Sequence, residues 1–129
     1  TLLGWRENLE VYGTDYDTED GSCIRDYIQV SDLADAHLRA LSFLEEQDED
    51  LVLNLGTSKG ISVLEILDAA RKVSGMDLPV IHSDRRPGDP AVVLASAEKA
   101  ERLLEWSPAF SDVETILKTM LAAYRSHHR

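Results

Sequence analysis

Three arginines and one aspartate, Arg25, Arg85, Arg86 and Asp89, have the types and the spacing to do chemistry together. A guanidinium presents five N–H donors in a planar fork and matches two phosphate oxygens at once. Each hydrogen bond to a charged group is worth about 1.5–3 kcal/mol. Two arginines from distant segments can therefore clamp a diphosphate. Asp89 stands three residues after Arg86 on a Pro-Gly turn, where a carboxylate can accept from a sugar diol. Spacing alone leaves open an arginine–aspartate pair that does no more than pin a loop. Arg25 also has a neighbour, Asp26, directly before the apolar run Tyr27-Ile28-Gln29-Val30. The placement suggests an element that aims the arginine while Asp26 orients the segment through a local bond.

Other candidates carry less. Gly56 and Gly60 frame "GTSKG" ahead of a helix, but Lys59 precedes Gly60, the reverse of a phosphate-loop order, so a turn is the better reading. His82 and Asp84 lack a third metal ligand at recognisable spacing. His37, among leucines, reads as a core or rim histidine. Cys23 is alone, which leaves no internal disulfide and suits a small filler residue; by default it points to a cytoplasmic protein. The acidic run "EEQDED" at 45–50 reads as a solvated loop, and His127 and His128 as part of a fraying tail. No nucleophile lies beside a base, no Gly-x-Gly-x-x-Gly occurs, and no catalytic residue is assigned.

Composition sets the frame for these residues. The chain has 129 residues, 43% hydrophobic and 29% charged, with a formal net charge of −11. That size suits one domain. The charge argues against nucleic acid and anionic membranes as partners, so an anionic ligand needs a local arginine cluster. No apolar run approaches the ~18 residues of a membrane span. The chain starts Thr1-Leu2-Leu3-Gly4, with no initiator methionine or signal peptide.

The elements that must position the arginines can be read from periodicity. Thr1 to Glu7 suggests the end of a helix. Leu9 to Tyr12 and Pro79 to Ser83 read as short strands, and Ile24 to Val30 as extended. Ser31 suits the N-cap of a helix over 32–44, with Asp32 and Asp35 in its first turn. That helix carries Leu33, His37, Leu41 and Leu44 on one side and Ala36, Ala40 and Phe43 on another, which predicts cover on both. Leu51 to Leu55 is nearly continuously apolar, as in a strand buried on both faces of a parallel sheet. Ser62-Val63-Leu64-Glu65 and Ser111-Asp112-Val113-Glu114 are capping boxes, and Gly75 suits a C-cap. Ser96 is placed to cap a helix that ends near Trp106. Val113, Ile116, Leu117, Met120, Leu121 and Tyr124 make an amphipathic stripe. The sum is an α/β chain with too few strands for its helices, which predicts that a partner domain covers Leu51–Leu55 and the preceding helix.

The block "VYGTDYDTEDGSCIRDYIQVSDLADAH" closely resembles a signature of the UDP-glucose (UDP-galactose) 4-epimerase family. "NLGTSKGISVLEIL", "RRPGDPAVVLAS" and "LLEWSP" resemble its later blocks in the same order, so the resemblance covers essentially residues 1–129. It implies the C-terminal, substrate-binding part of an extended short-chain dehydrogenase/reductase. The N-terminal half, with its NAD-binding Rossmann domain and Tyr-x-x-x-Lys pair, would lie outside this chain, so no NAD and no activity are expected here. It further implies that Arg25 and Arg86 hold the diphosphate of a UDP-sugar and that Asp89 holds the ribose. Backbone around Glu10 to Tyr12 would face the uracil, and Val93 would limit the sugar pocket. The partners implied are UDP-glucose or UDP-galactose, the Rossmann domain, and further copies in a homo-oligomer. An epimerase of N-acetylhexosamines or pentoses, and a non-catalytic nucleotide-sugar-binding or assembly module, stay open. Gln29 and Ser96 stand where His and Asp are common in the family.

Overall fold

A computed structural model describes residues 1–47 and 49–126. The expected tail containing His127 and His128, and Asp48 of the acidic run, lie outside the described residues. The fold is a small mixed α/β domain. In chain order it comprises β1 (Leu9–Tyr12), β2 (Ile24–Arg25), α1 (Val30–Gln47), β3 (Ile61–Ser62), α2 (Val63–Ser74), β4 (Val80–Ser83), β5 (Val92–Val93), α3 (Glu98–Leu104) and α4 (Val113–Ser126). Two small sheets are present among the described residues. β1 and β4 pair in parallel, with Leu9 opposite Val80 and Tyr12 opposite Ser83. β2 is the centre of the other sheet, antiparallel to β3 and parallel to β5.

Two apolar clusters hold these elements. Val11, Leu67, Ala70, Leu78 and Leu117 join β1, α2 and α4. Ala36, Ala97, Ala100, Leu104 and Trp106 join α1 to α3, with Leu51, Leu53 and Leu55 laid against them. α2 forms where its local signals place it. Ser62 Oγ accepts from Glu65 N at 3.0 Å, Glu65 Oε2 accepts from Ser62 N at 2.7 Å, and Gly75 takes the left-handed C-cap.

Several expectations are corrected. Thr1 to Glu7 is a run of turns, opened by Gly4 N donating to Thr1 O at 2.8 Å, and not a helix. Of the segment Ile24 to Val30 expected to be extended, only Ile24–Arg25 forms a ladder, and Val30 already belongs to α1. The cap of α1 is Gln29, whose Oε1 accepts from Ser31 N, while Ser31 itself lies inside the helix. Leu51 to Leu55 forms no ladder. Leu51, Leu53 and Leu55 are half-buried, and Val52 and Asn54 point outward, so within this chain the run is covered on one side only. α1 is likewise packed on one side: Leu38 is 67% exposed and Leu41 56%. His37, expected at the core or its rim, is exposed and bonds Leu33 O at 2.7 Å. Ala97, without a side-chain bond, occupies the N-cap of α3 in place of Ser96, and α3 ends at Leu104. Asp112, not Ser111, caps α4, accepting from Thr115 N at 2.9 Å.

Ser111 has a different task. Its Oγ donates to Asp32 Oδ2 at 2.5 Å and accepts from Gln29 N at 2.9 Å. Asp32, only 3% exposed, also accepts from Ala109 N at 3.0 Å and Phe110 N at 2.9 Å, and its carbonyl takes Trp106 Nε1–H at 3.0 Å. Burial alone would raise the Asp32 carboxyl. The bonds from Ser111, Ala109 and Phe110 outweigh burial and hold it below the usual carboxylate range.

Candidate functional site

β1 and β4 run side by side in the same direction, so the segments that follow Tyr12 and Ser83 leave from one end. Glu10 sits there, accepting from Ser83 Oγ and from the Tyr12 hydroxyl, each at 2.5 Å. The Ser83 bond, then the Tyr12 bond, lower the Glu10 carboxyl against a smaller opposing effect of burial, and the charge of Arg86 adds to the lowering. The Arg86 guanidinium carbon lies 3.8 Å from the centre of the Tyr12 ring. Arg86 is exposed.

Arg25 approaches from β2. Its Nη2 bonds Asp89 Oδ1, and its Nη1 donates to Ile24 O at 2.7 Å and Ala91 O at 3.5 Å. The two side chains of that ion pair keep 23% and 27% of their surface exposed, so water or a ligand reaches both. The parallel register sets Val93 opposite Arg25, and Val93 is 46% exposed. Asp89 has a second partner, the Tyr16 hydroxyl, at 3.5 Å. Burial, and then the Asp89 carboxylate, push the Tyr16 phenol up. Of the residues predicted for the site, Arg25 and Asp89 come into contact, Val93 lies beside Arg25, and Arg86 stacks on Tyr12, which bonds Glu10.

Arg85 departs from the expected cluster. Its Nε donates to Asp15 Oδ1 at 2.6 Å, its Nη2 to Asp15 O, and its guanidinium carbon lies 4.2 Å from the centre of the Tyr16 ring. This clasp joins loop 13–22 to loop 84–91. Gly13 makes room for it, at a φ of +80°, because a Cβ there would come within 2.5 Å of the Tyr16 ring and 2.7 Å of Arg85 Cγ. Tyr16, buried beside Asp89, was not singled out by sequence reasoning, since nothing local distinguishes it in a polar loop. Asp26 was singled out for a local bond. Its bonds instead go to residues 57, 58 and 95, far along the chain. The "GTSKG" turn directs two of its backbone N–H groups at that carboxylate, so its resemblance to an anion-binding loop has an internal object.

Cys23 is buried, as a filler residue is. His82 and Asp84 are exposed, and among the described residues no group of three or more His, Cys, Asp or Glu is arranged for a metal ion. No helix among them is long and apolar enough to cross a membrane.

No protein-family profile matches the chain. Individual proteins do. The chain is 44% identical over 124 residues to the UDP-glucose 4-epimerase of Lacticaseibacillus casei, covering 96% of this chain and 38% of that protein. It is 46% identical to the UDP-glucose 4-epimerase of Streptococcus mutans over 124 residues, 96% of this chain and 37% of that protein. The crystal structure of the UDP-glucose 4-epimerase from Stenotrophomonas maltophila, with bound NAD and formylated UDP-arabinopyranose, superposes with a TM-score of 0.90 at 38% identity, over 99% of this chain and 38% of that one. The chain thus spans less than two-fifths of the length of the relatives it matches, and the match is to their C-terminal part.

Proposed function

From its relationship in sequence and fold to the C-terminal part of the UDP-glucose 4-epimerases, we propose that this chain holds the UDP end of a UDP-sugar for an NAD-dependent 4-epimerase. The observation that carries the reading is that loop 84–91 brings Asp89 onto Arg25 of β2 and sets Arg86 over Tyr12 at the end of β1. Arg25 and Arg86 take the two phosphates as charge-assisted forks. Asp89, already oriented by Arg25 and Tyr16, accepts from the ribose diol. The Glu10–Tyr12 segment forms the wall against the uracil. Val93, beside Arg25, limits the sugar beyond the diphosphate.

NAD does not fit the residues described here. The seven glycines contain no Gly-x-Gly-x-x-Gly, and the chain has no Tyr-x-x-x-Lys pair. In this reading the cofactor and the epimerising groups belong to the remainder of a longer enzyme, and residues 1–129 alone are inactive. That remainder covers the outer face of α1 and the open side of Leu51–Leu55. A homo-oligomer of the whole enzyme is part of the same reading.

Titration of the chain with UDP, followed residue by residue by NMR, tests the proposal. With one wall of the site missing, affinity should be near millimolar, about 4 kcal/mol. Shifts should centre on Tyr12, Arg25 and residues 84–93, and Arg86→Ala should weaken them by about tenfold. Shifts elsewhere, or shifts indifferent to Arg86→Ala, would refute the clamp.

A further inference from the structure

We propose that Asp26 is the positioning residue of the nucleotide site: its carboxylate locks the three short strands that aim Arg25 and present Val93. The inference rests on the reading of Arg25 as a phosphate ligand and assigns that arginine its support.

The need for support comes from the sheet itself. β2 is two residues long, and each of its neighbours is two residues long. A ladder that short fixes little; isolated two-stranded pairings are marginal even when longer. Yet Arg25 must hold a long, flexible side chain at one point in space. Its own contacts, to Asp89 and to the carbonyls of Ile24 and Ala91, lie at the ligand end or along the strand, and a ligand that engages Arg25 or Asp89 competes with them.

Asp26 follows immediately, and successive side chains of an extended chain leave on opposite sides. Arg25 reaches Asp89, and Asp26 reaches away from it. Its Oδ1 accepts from Thr57 N at 2.8 Å and Thr57 Oγ1 at 2.5 Å, and its Oδ2 from Ser58 N at 3.1 Å and Ala95 N at 3.2 Å. Residues 57 and 58 lead into β3, and Ala95 lies two residues beyond Val93 in β5. One carboxylate therefore bonds the lead-in of one edge strand and the exit of the other, one residue from the arginine in the central strand.

The surroundings are built for this group. Gly56 leaves space, since a Cβ there would come within 2.5 Å of Asp26 Oδ2 and 2.8 Å of Ala95 Cβ. Burial would raise the carboxyl, but the bonds from Thr57, Ala95 and Ser58 keep it below the usual range, so the charged acceptor is the resident form. Both oxygens take two donors each. An asparagine could offer only one oxygen and would set its own N–H₂ against donors.

The test compares UDP, UMP and uridine on the chain, with Asp26→Asn, Thr57→Val and Arg25→Lys variants, each first checked by its amide spectrum and melting curve. A merely structural role would lower the melting temperature and leave the ratio of UDP to UMP affinity alone, since every folded molecule would bind alike. Positioning of Arg25 predicts that folded Asp26→Asn loses most of that ratio, about tenfold, as Arg25→Lys does, while uridine binding is kept. Thr57→Val, which removes one of the four bonds, should lower the ratio by about two- to threefold. A folded Asp26→Asn with an unchanged ratio overturns the proposal, and where that variant does not fold, an unchanged ratio in Thr57→Val overturns it. An unaltered chain that binds UDP no better than uridine sinks the clamp itself, and the role of Asp26 with it. An Arg25→Lys loss that Asp26→Asn does not share sinks only the latter.

Discussion

The two apolar clusters of this domain are held by different means. The one between β1, α2 and α4 is aliphatic: Val11, Leu67, Leu78 and Leu117 interlock, and α2 is closed at both ends by its own caps. The one between α1 and α3 sets three alanines and Leu104 around Trp106, which is 0% exposed, and is tied by a buried polar centre at Asp32. Its outer side is bare, with Val30 72% exposed and Val52 82%. Aliphatic packing tolerates small adjustments, because no bond direction has to be met. The alanines of the second cluster let helix and chain approach closely, and the cluster leans on one large ring and one buried carboxylate. The difference separates a region beside the proposed nucleotide site from one whose far side is left bare.

Trp106→Ala tests that separation most severely. Removing a fully buried tryptophan costs about 3–5 kcal/mol. It also removes the donor to the Asp32 carbonyl. Amide exchange should accelerate in α1 and α3 while α2 and α4 keep slow exchange, as expected of separate cooperative units. Equal acceleration in all four helices would show a single unit and break the comparison.

Asp32→Asn addresses the polar centre and should cost about 2–3 kcal/mol at neutral pH, because Phe110 N and Ser111 Oγ both lose a charged acceptor. The pH dependence follows from the lowered carboxyl of Asp32. A carboxylate bound more weakly by protons in the folded state stabilises fully above its unfolded value of about 3.9. The contribution is lost as pH falls below that value through the folded one. The gap between the unaltered chain and Asp32→Asn should therefore be widest at neutral pH and narrow below about pH 4. Urea melts at pH 7, 4 and 3 would measure it. A constant gap would mean that Asp32 stays charged throughout, or that its charge contributes nothing.

How much of this was legible in the sequence depends on how local each cause is. Ser62 and Glu65 are three residues apart, and Gly75 ends the helix they begin, so α2 could be read directly. The pattern around Ser111 looks the same, yet Ser111 bonds Asp32, 79 residues away, and Asp112 takes over the cap. Asp26 stands next to Arg25 in sequence, but its partners are 31, 32 and 69 residues distant, beyond any periodicity argument. Leu51–Leu55 shows the converse. Its composition is that of a strand, but a ladder needs a neighbouring backbone, and the described chain gives it side-chain contacts on one side only. Of the proposed site, the charge types of Arg25, Arg86 and Asp89 could be picked out by chemistry, and the roles proposed for them rest on resemblance. The diversion of Arg85 to Asp15 and Tyr16 depends on the packing of two loops that share no local signal.

The smallest effect on stability, and the clearest on association, should come from the bare side of α1. Leu38, Leu41 and Leu44 are 67%, 56% and 43% exposed, and Val52 lies on the open side of the adjoining segment. Leu38 and Leu41 are mostly exposed, so replacing them by glutamine should change the melting free energy by no more than about 0.5 kcal/mol per site. Left bare, the same side chains form the kind of apolar patch that soluble monomers seldom expose. The net charge of −11 opposes association, but at physiological salt screening confines that repulsion to about 8 Å. The chain should therefore associate with itself through this face, as a dimer or larger species in light scattering across a concentration series, and should bind a hydrophobic dye. The double glutamine variant should shift towards monomer and lose most dye binding with its melt intact. A stable monomer without dye binding in the unaltered chain would mean that the α1 face needs no cover, and that the two clusters differ in composition but not in purpose.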